Sequence, residues 1–226
     1  MLSGGVPEYA LGSVYGAALC ALNKKAGGIR PIAVGSVFRR LTSKLAARQA
    51  SSRLAGILKP KQLGVGVPGG CEAVIHAARN FLRSASASPT QQILVEVDVS
   101  NAFNTLDRSA FLRQILMHSP EIYPLLRQAY GFSSPLFFGQ TRILSETGLQ
   151  QGDPLASLCF SLAINSVISS IDCEFNAWYL DDGVFGGSVG EMCANLAQLE
   201  RSFALLVLHL NNNTYEVSIL SSPHGA

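Results

Sequence analysis

The 226-residue sequence reads as an α+β protein in which helices pack against antiparallel strands. Three observations lead there. Residues 92–98 alternate Ile93, Val95 and Val97 with Glu96 and Asp98, the period of a strand that delivers an acid at its end. Two short apolar runs, 174–180 and 184–187, flank Asp181-Asp182-Gly183 and read as a hairpin whose glycine suits a tight turn. Between such runs lie longer segments with apolar residues at helical spacing.

The elements follow in chain order after an N-terminal segment, 1–18. Residues 19–34 read as a hairpin turning at Gly27-Gly28, with Pro31 near an edge. Residues 37–56 read as a helix, because Val37, Leu41, Leu45 and Leu54 approximate one face while arginines and Lys44 cover the other. A second helix over 71–83 places Val74, Ala78 and Phe81 on one side, and Ser84–Pro89 is a short polar loop. Past the strand at 92–98 come helices at 108–117 and 121–130, then short strands within 136–145. A long helix starts near Pro154, where proline suits the first turn. Beyond the 174–187 hairpin, a helix at 190–204 and a last strand near 206–210 complete the expected elements, leaving 217–226 as a tail.

Hydrophobic residues make up 48% and charged ones 14%, which excludes a disordered chain and implies a sizeable core. The five cysteines are scattered, without a CxxC pair, and read as reduced thiols rather than a zinc site or disulfide framework. Met1–Gly5 lacks the basic and apolar runs of a signal peptide. The longest apolar stretch, Pro154–Val167, is interrupted by Ser157, Ser161 and Asn165 and reads as core rather than a membrane span. The expected location is intracellular, nuclear or cytoplasmic, with no membrane partner. Net charge is only +2, but residues 1–61 hold ten Lys/Arg against Glu8 while the remainder is acidic. A basic N-terminal third suits phosphate binding; a solvated basic helix face is the alternative.

The chemistry-bearing segments begin with Tyr179-Leu180-Asp181-Asp182. Adjacent carboxylates on a packed hairpin repel, and a divalent magnesium ion with oxygen ligands relieves that repulsion. Asp98, at the end of the predicted strand, supplies a third acid, followed five residues later by the aromatic Phe103. A strand-capping Asp and a core Phe are the alternative. Gly148-Leu-Gln-Gln-Gly-Asp-Pro-Leu155 sets Gln151 and Gly152 before a helix start, where backbone N–H groups suit phosphate; it also reads as a plain turn. Asn23-Lys-Lys-Ala-Gly-Gly-Ile-Arg-Pro-Ile32 puts Lys24 and Lys25 on one hairpin arm and Arg30 on the other, either for phosphate or as solvated charges.

In this order the segments resemble the reverse transcriptase family, particularly the domains of non-LTR retrotransposons. Arg30-Pro-Ile32 is similar to the fingers motif and Lys61-Gln62-Leu63-Gly64 to the segment after it. Asp98–Phe103 resembles the first palm motif, Gly148–Leu155 the Gln-Gly-x-Pro motif, and Tyr179–Asp182 the Tyr-x-Asp-Asp motif. The resemblance implies a right-hand fingers and palm without a thumb. The fingers would lie mostly in 19–91, and the palm, an antiparallel sheet backed by helices, in 92–216 with a fingers insertion near 130–150. It implies an RNA-directed DNA polymerase using two magnesium ions, or manganese in their place. Asp98 and Asp181 would hold the metals with the Val99 carbonyl, Asp182 would contribute less directly, and Tyr179 would support them. Arg30, Lys24, Lys25, Gln151 and Gly152 would contact the incoming nucleotide, and the Phe103 ring would lie under its sugar and favour deoxynucleotides. The implied partners are dNTPs, a primed RNA or DNA template, and a thumb or endonuclease supplied by a larger polyprotein.

One motif departs from the family. Leu210-Asn211-Asn212-Asn213-Thr214 sets threonine where a lysine is expected to protonate the pyrophosphate, and no lysine follows Lys61. His209 is a candidate proton donor, with packing in an apolar strand as the alternative. Two functions follow: a polymerase domain, or a relic that keeps only nucleic-acid binding. Tyr179-Leu180 and Phe103 argue against an RNA-synthesising polymerase.

Overall fold

A computed structural model of the chain describes residues 1–24, 27–88, 90–211 and 215–220. These fall into two compact units, one of Met1–Leu54 with Phe103–Ala163 and the other of Ala55–Ala102 with Ile164–Ala226. Both are α+β.

In the first unit, α1 (Glu8–Tyr15) leads into β1 (Ala17–Asn23), which pairs antiparallel with β2 (Ile29–Gly35) from Ala17↔Gly35 to Asn23↔Ile29. This is the expected hairpin, with Pro31 on the edge strand, where a missing N–H is tolerated. β1 also runs parallel to β4 (Ser134–Phe138), which pairs antiparallel with β5 (Thr141–Ser145), so the sheet order is β2-β1-β4-β5. The parallel β1–β4 pair was not foreseen from the sequence. Between β2 and β4 this unit also holds the short α4 (Ala102–Thr105), α5 (Arg108–His118), a 3₁₀ turn at Pro120–Ile122, and α6 (Tyr123–Tyr130).

The helix expected over 37–56 is α2 (Val37–Leu58), but its buried face is not the leucine face. Val37 and Phe38 are each 75% exposed and Leu41 and Leu45 are more than half exposed; of the expected face only Leu54 is buried, together with Arg39, Ser43, Ala46 and Ala50. Small residues let the helix backbone pack closely, and Arg39 is accommodated because polar partners surround it, as described below.

The second unit carries α3 (Gly70–Ala85) and β3 (Gln92–Val97), then α7 (Ala156–Ser170), which begins in the first unit. β6 (Phe175–Tyr179), β7 (Asp182–Ser188), α8 (Val189–Ala204) and β8 (Glu216–Leu220) follow. The sheet is fully antiparallel in the order β6-β7-β3-β8. As expected, α3 turns Val74 and Phe81 inward; Phe81 stacks on Phe175 at 5.5 Å between ring centroids. On α8, Phe203 meets Trp178 edge-to-face at 5.9 Å. Ser188 and Glu191 close a capping box at the start of α8.

Two expectations are corrected. Residues 206–210 form no strand, contributing only a bridge of Leu210 to Val99, and the last strand is β8, which enters the residues read as a tail. Gly183 is not the turn glycine: it lies in β7 opposite Trp178, and a Cβ there would come within 2.5 Å of the indole ring. The turn itself is Leu180-Asp181, with Leu180 at φ 57°.

Candidate active site

Strand register brings two of the three aspartates together. β3 and β7 pair as far as Val97↔Gly183, and the next step of that register sets Asp98 across from Asp182. Directly opposed residues of an antiparallel pair have Cβ atoms roughly 4.5–5.5 Å apart on one face of the sheet. Asp182 is exposed at the start of β7, yet partial desolvation of its carboxyl pushes it above its usual range, and the Asp98 charge adds to the shift. Asp181, partly buried, is the second residue of the intervening turn. Asn211 holds Asp98 from the far side: its amide N–H donates to the Asp98 carbonyl at 2.8 Å and its Nδ2 to Oδ2 at 3.1 Å. Thr214 lies outside the described residues, as does Lys25. The same pairing uses the carbonyls of Asp98 and His209, leaving that of Val99 out of it.

The raised Asp182 carboxyl gives a signed pH dependence. Across the window from the ordinary aspartate value of about 3.9 up to its raised one, the folded chain binds more protons than the unfolded chain. Stability therefore falls as pH rises through that window, and the like-charge cost is fully present above it. Denaturant midpoints measured against pH in a chelator should show this slope, and Asp182→Asn should remove it.

The turn is held by a neighbouring segment. Lys61–Gly64 lies parallel to the end of β6, with Trp178 N–H donating to the Lys61 carbonyl at 2.7 Å and Leu63 N–H to the Trp178 carbonyl at 2.8 Å. Gln62, fully buried, accepts from the N–H of Leu180 (2.8 Å) and Gly64 (3.0 Å), and its Nε2 donates to the Leu180 carbonyl at 3.0 Å. Gly64 must be small: a Cβ would lie 2.6 Å from Leu180 Cδ2 and 2.7 Å from its backbone nitrogen. Gly64→Ala should cost about 1–3 kcal/mol through overpacking, read as a lower urea midpoint.

In the first unit, the loop Gly148–Asp153 docks on β2. Ala33 N–H donates to the Gln151 carbonyl at 2.7 Å, and Gly152, at φ 117°, brings its Cα so close that a Cβ would lie 2.6 Å from the Ala33 carbonyl oxygen. Leu149 N–H donates to the Phe103 carbonyl, so the loop and the aromatic position are fixed together. The Phe103 ring, half-buried, stacks on Phe160 at 4.8 Å, satisfying the packing reading on one face. Pro31, Ala33, Asn104, Gln150 and Gln151 border an open cleft of about 210 Å³. Lys24 and Arg30 are exposed on the β1–β2 hairpin, where the backbone N–H of Lys24 donates to the Gly28 carbonyl.

A buried network that the sequence reading missed supports this loop. Arg39 is 2% exposed; its Nη2 pairs with Asp153 Oδ2 at 2.8 Å, and its Nη1 donates to Gln150 Oε1 (2.7 Å) and the Tyr15 carbonyl (2.6 Å). The Tyr130 hydroxyl donates to the same Asp153 oxygen at 2.9 Å, and burial, reinforced by Asp153, pushes that phenol well above its usual range, so it stays a donor. Arg108 spreads its guanidinium over the carbonyls of Ser145, Thr147 and Gly148. The available signal was Asp153 itself, a carboxylate at the start of a buried helix, but Arg39 lies on the buried side of α2, away from the exposed Leu41 and Leu45, among the arginines read as covering the other face.

Fit to a metal can be judged from the donors. Asp98, just past the end of β3, and Asp182, at the start of β7, are hard oxygen ligands, mutually repelling and without an ion pair among the described residues, which suits a divalent cation such as magnesium. Among the described residues no three His, Cys, Asp or Glu side chains gather into a metal-binding group.

A family model described as reverse transcriptase (RNA-dependent DNA polymerase) matches residues 22–218. No curated protein matches the chain. Among solved structures, the chain is similar to apo telomerase from Candida tropicalis truncated from its C-terminal domain, at 13% identity and a TM-score of 0.65 over 99% of this chain and 55% of that one. It is also similar to apo telomerase from the same organism, at 12% identity and a TM-score of 0.69 over 94% of this chain and 46% of that one. Telomerase from Candida albicans in complex with the TWJ fragment of telomeric RNA matches at 9% identity and a TM-score of 0.63, covering 98% of this chain and 44% of that one. At these identities the likeness establishes the fold, and the chain spans about half the length of the solved chains it matches. No described helix is long and apolar enough to cross a membrane.

Proposed function

The chain belongs to the reverse transcriptase (RNA-dependent DNA polymerase) family, and from that premise we propose that it is a catalytic domain that extends a primer 3′-hydroxyl with dNMP on an RNA template. The observation that carries this reading is the β3–β7 pairing out to Val97↔Gly183, one residue short of Asp98 and Asp182, with the Asp98 charge felt at Asp182. Asp98, Asp181, Asp182 and the Val99 carbonyl would hold two magnesium ions, with manganese as a substitute. Such a pair, when bound, activates the attacking hydroxyl and steadies the leaving oxygens.

The remaining roles belong to the chain's own groups. Asn211 fixes the Asp98 carboxylate so that its free oxygen is held in one direction. Arg30, Lys24 and Lys25 supply positive charge for the triphosphate, Arg as a planar fork and Lys as point charges. Gln151 and Gly152, on the loop clamped to β2, offer an amide and a backbone N–H to the nucleotide, and Phe103 limits the space at its 2′ position. In this reading Tyr179, the last residue of β6, supports the turn from its strand side. The fingers correspond to the first unit's hairpin and loop, and the palm to the sheet of the second.

A second reading, a relic that binds nucleic acid without turnover, is favoured by one observation: no lysine follows Lys61. Binding and extension measured on one preparation separate the two. Magnesium-dependent dNTP incorporation on a primed RNA template supports the polymerase; salt-sensitive binding with no extension, even with manganese, supports the relic.

A further inference from the structure

We propose that Gln62 is the positioning residue that sets the conformation of the Leu180-Asp181 turn and thereby the direction in which Asp181 presents its carboxylate, an inference that rests on the acidic-site reading above. Leucine at φ 57° is in the left-handed region, which β-carbon sterics disfavour, so local sequence does not choose this turn. Something outside the hairpin must hold it. Gln62 lies 118 residues away in sequence and satisfies both backbone groups of Leu180: Oε1 accepts its N–H at 2.8 Å and Nε2 donates to its carbonyl at 3.0 Å.

The side chain that makes these bonds is itself immobilised. Gln62 has no exposed surface, and its Oε1 also accepts the Gly64 N–H at 3.0 Å. Backbone bonds from Lys61 and Leu63 to Trp178 tie the segment to the strand that ends in the turn. Such a clamp reads both the N–H and the C=O of one residue, so it fixes the rotation of the two peptide planes flanking Leu180. The second of those planes leads directly into Asp181. An amide is the chemistry required: a carboxylate accepts but does not donate, an ammonium donates but does not accept, and an apolar side chain does neither. The sequence reading had placed Lys61–Gly64 in a motif without giving Gln62 a role.

The test is manganese affinity of the full chain, followed by titration, for wild type, Gln62→Leu and Gln62→Glu. Outer partners that orient metal ligands typically alter affinity by about 10–100-fold, and Gln62→Leu is expected to weaken binding by that factor. Gln62→Glu keeps the two accepted bonds and should lose less, and it decides the matter if the leucine variant does not fold. Amide exchange at Leu180 is measured alongside: its protection should fall in Gln62→Leu and persist in Gln62→Glu, whose carboxylate still accepts that N–H. A folded Gln62→Leu with unchanged manganese affinity and an equally protected Leu180 amide, or a Gln62→Glu that loses no manganese affinity, overturns the proposal. Wild type that binds no manganese removes the acidic-site reading instead; loss of Leu180 protection in Gln62→Leu would still establish that Gln62 sets the turn.

Discussion

Asp181→Ala should take magnesium-dependent primer extension below detection while leaving the fold intact. Asp181 sits in the turn between β6 and β7 and is partly buried, so its truncation opens no core cavity. What it removes is one of the oxygen ligands assigned to the metals. Metal stabilisation of a phosphoryl transition state amounts to several kcal/mol, and with about 1.4 kcal/mol per tenfold in rate the loss is on the order of 10³-fold or more. Asp98→Asn should be equally damaging to extension, and it has a second signature. It removes the charge that helps raise the Asp182 carboxyl, so that group should titrate closer to the usual carboxylate range. Extension that survives Asp181→Ala on an RNA template, at unchanged rate, would remove the polymerase assignment. Loss of extension with unchanged salt-sensitive template binding would localise the defect to chemistry.

The acidic hairpin was legible because its signal is local. Tyr179–Asp182 lies between two short apolar runs, and Asp98 ends an alternating strand, so both positions followed from period and charge. What stayed hidden depends on partners distant in sequence. Leu41 and Leu45 have the spacing of a buried helix face, yet Ala46 and Ala50 are inside, because close approach of the helix selects small residues over large ones. Arg39 reads as a surface cation until Asp153, Gln150 and the Tyr15 carbonyl are brought around it. The run Leu205–Leu210 has strand-like composition, but Val207 adopts φ 59° and breaks the extended path. β8 carries its apolar Val217 and Ile219 outward, so alternation gave no inward face to recognise; its pairing with β3 is made by the backbone. Gly183 was assigned to the turn by composition, although the Trp178 ring that makes it necessary lies across the strand pair.

Removing either partner of the buried Arg39–Asp153 pair should be the most destabilising single change in the first unit. Both side chains are 2% exposed, so solvent does not screen the pair and cannot replace a lost partner. Breaking such a pair typically costs about 3–5 kcal/mol because an uncompensated charge stays buried. Arg39→Met leaves the Asp153 carboxylate with the Tyr130 hydroxyl and the Leu155 N–H, which are too few donors for a buried anion. It also frees Gln150 Oε1 and the Tyr15 carbonyl, so the loop that carries Gln151 and Gly152 loosens with the fold. Asp153→Asn should cost less than Asp153→Ala, since the amide oxygen can still accept from Tyr130 or Leu155. Tyr130→Phe removes one hydroxyl bond to that anion and should cost about 1.5–3 kcal/mol, the range for bonds to charged groups. The Arg39→Met/Asp153→Leu double variant should recover part of either single loss, because no unpaired charge remains. Urea midpoints at unchanged m-value provide the measurement. An Arg39→Met midpoint shift worth under about 1 kcal/mol, far below the cost of an orphaned buried charge, would mean that the pair does not hold the loop against β2.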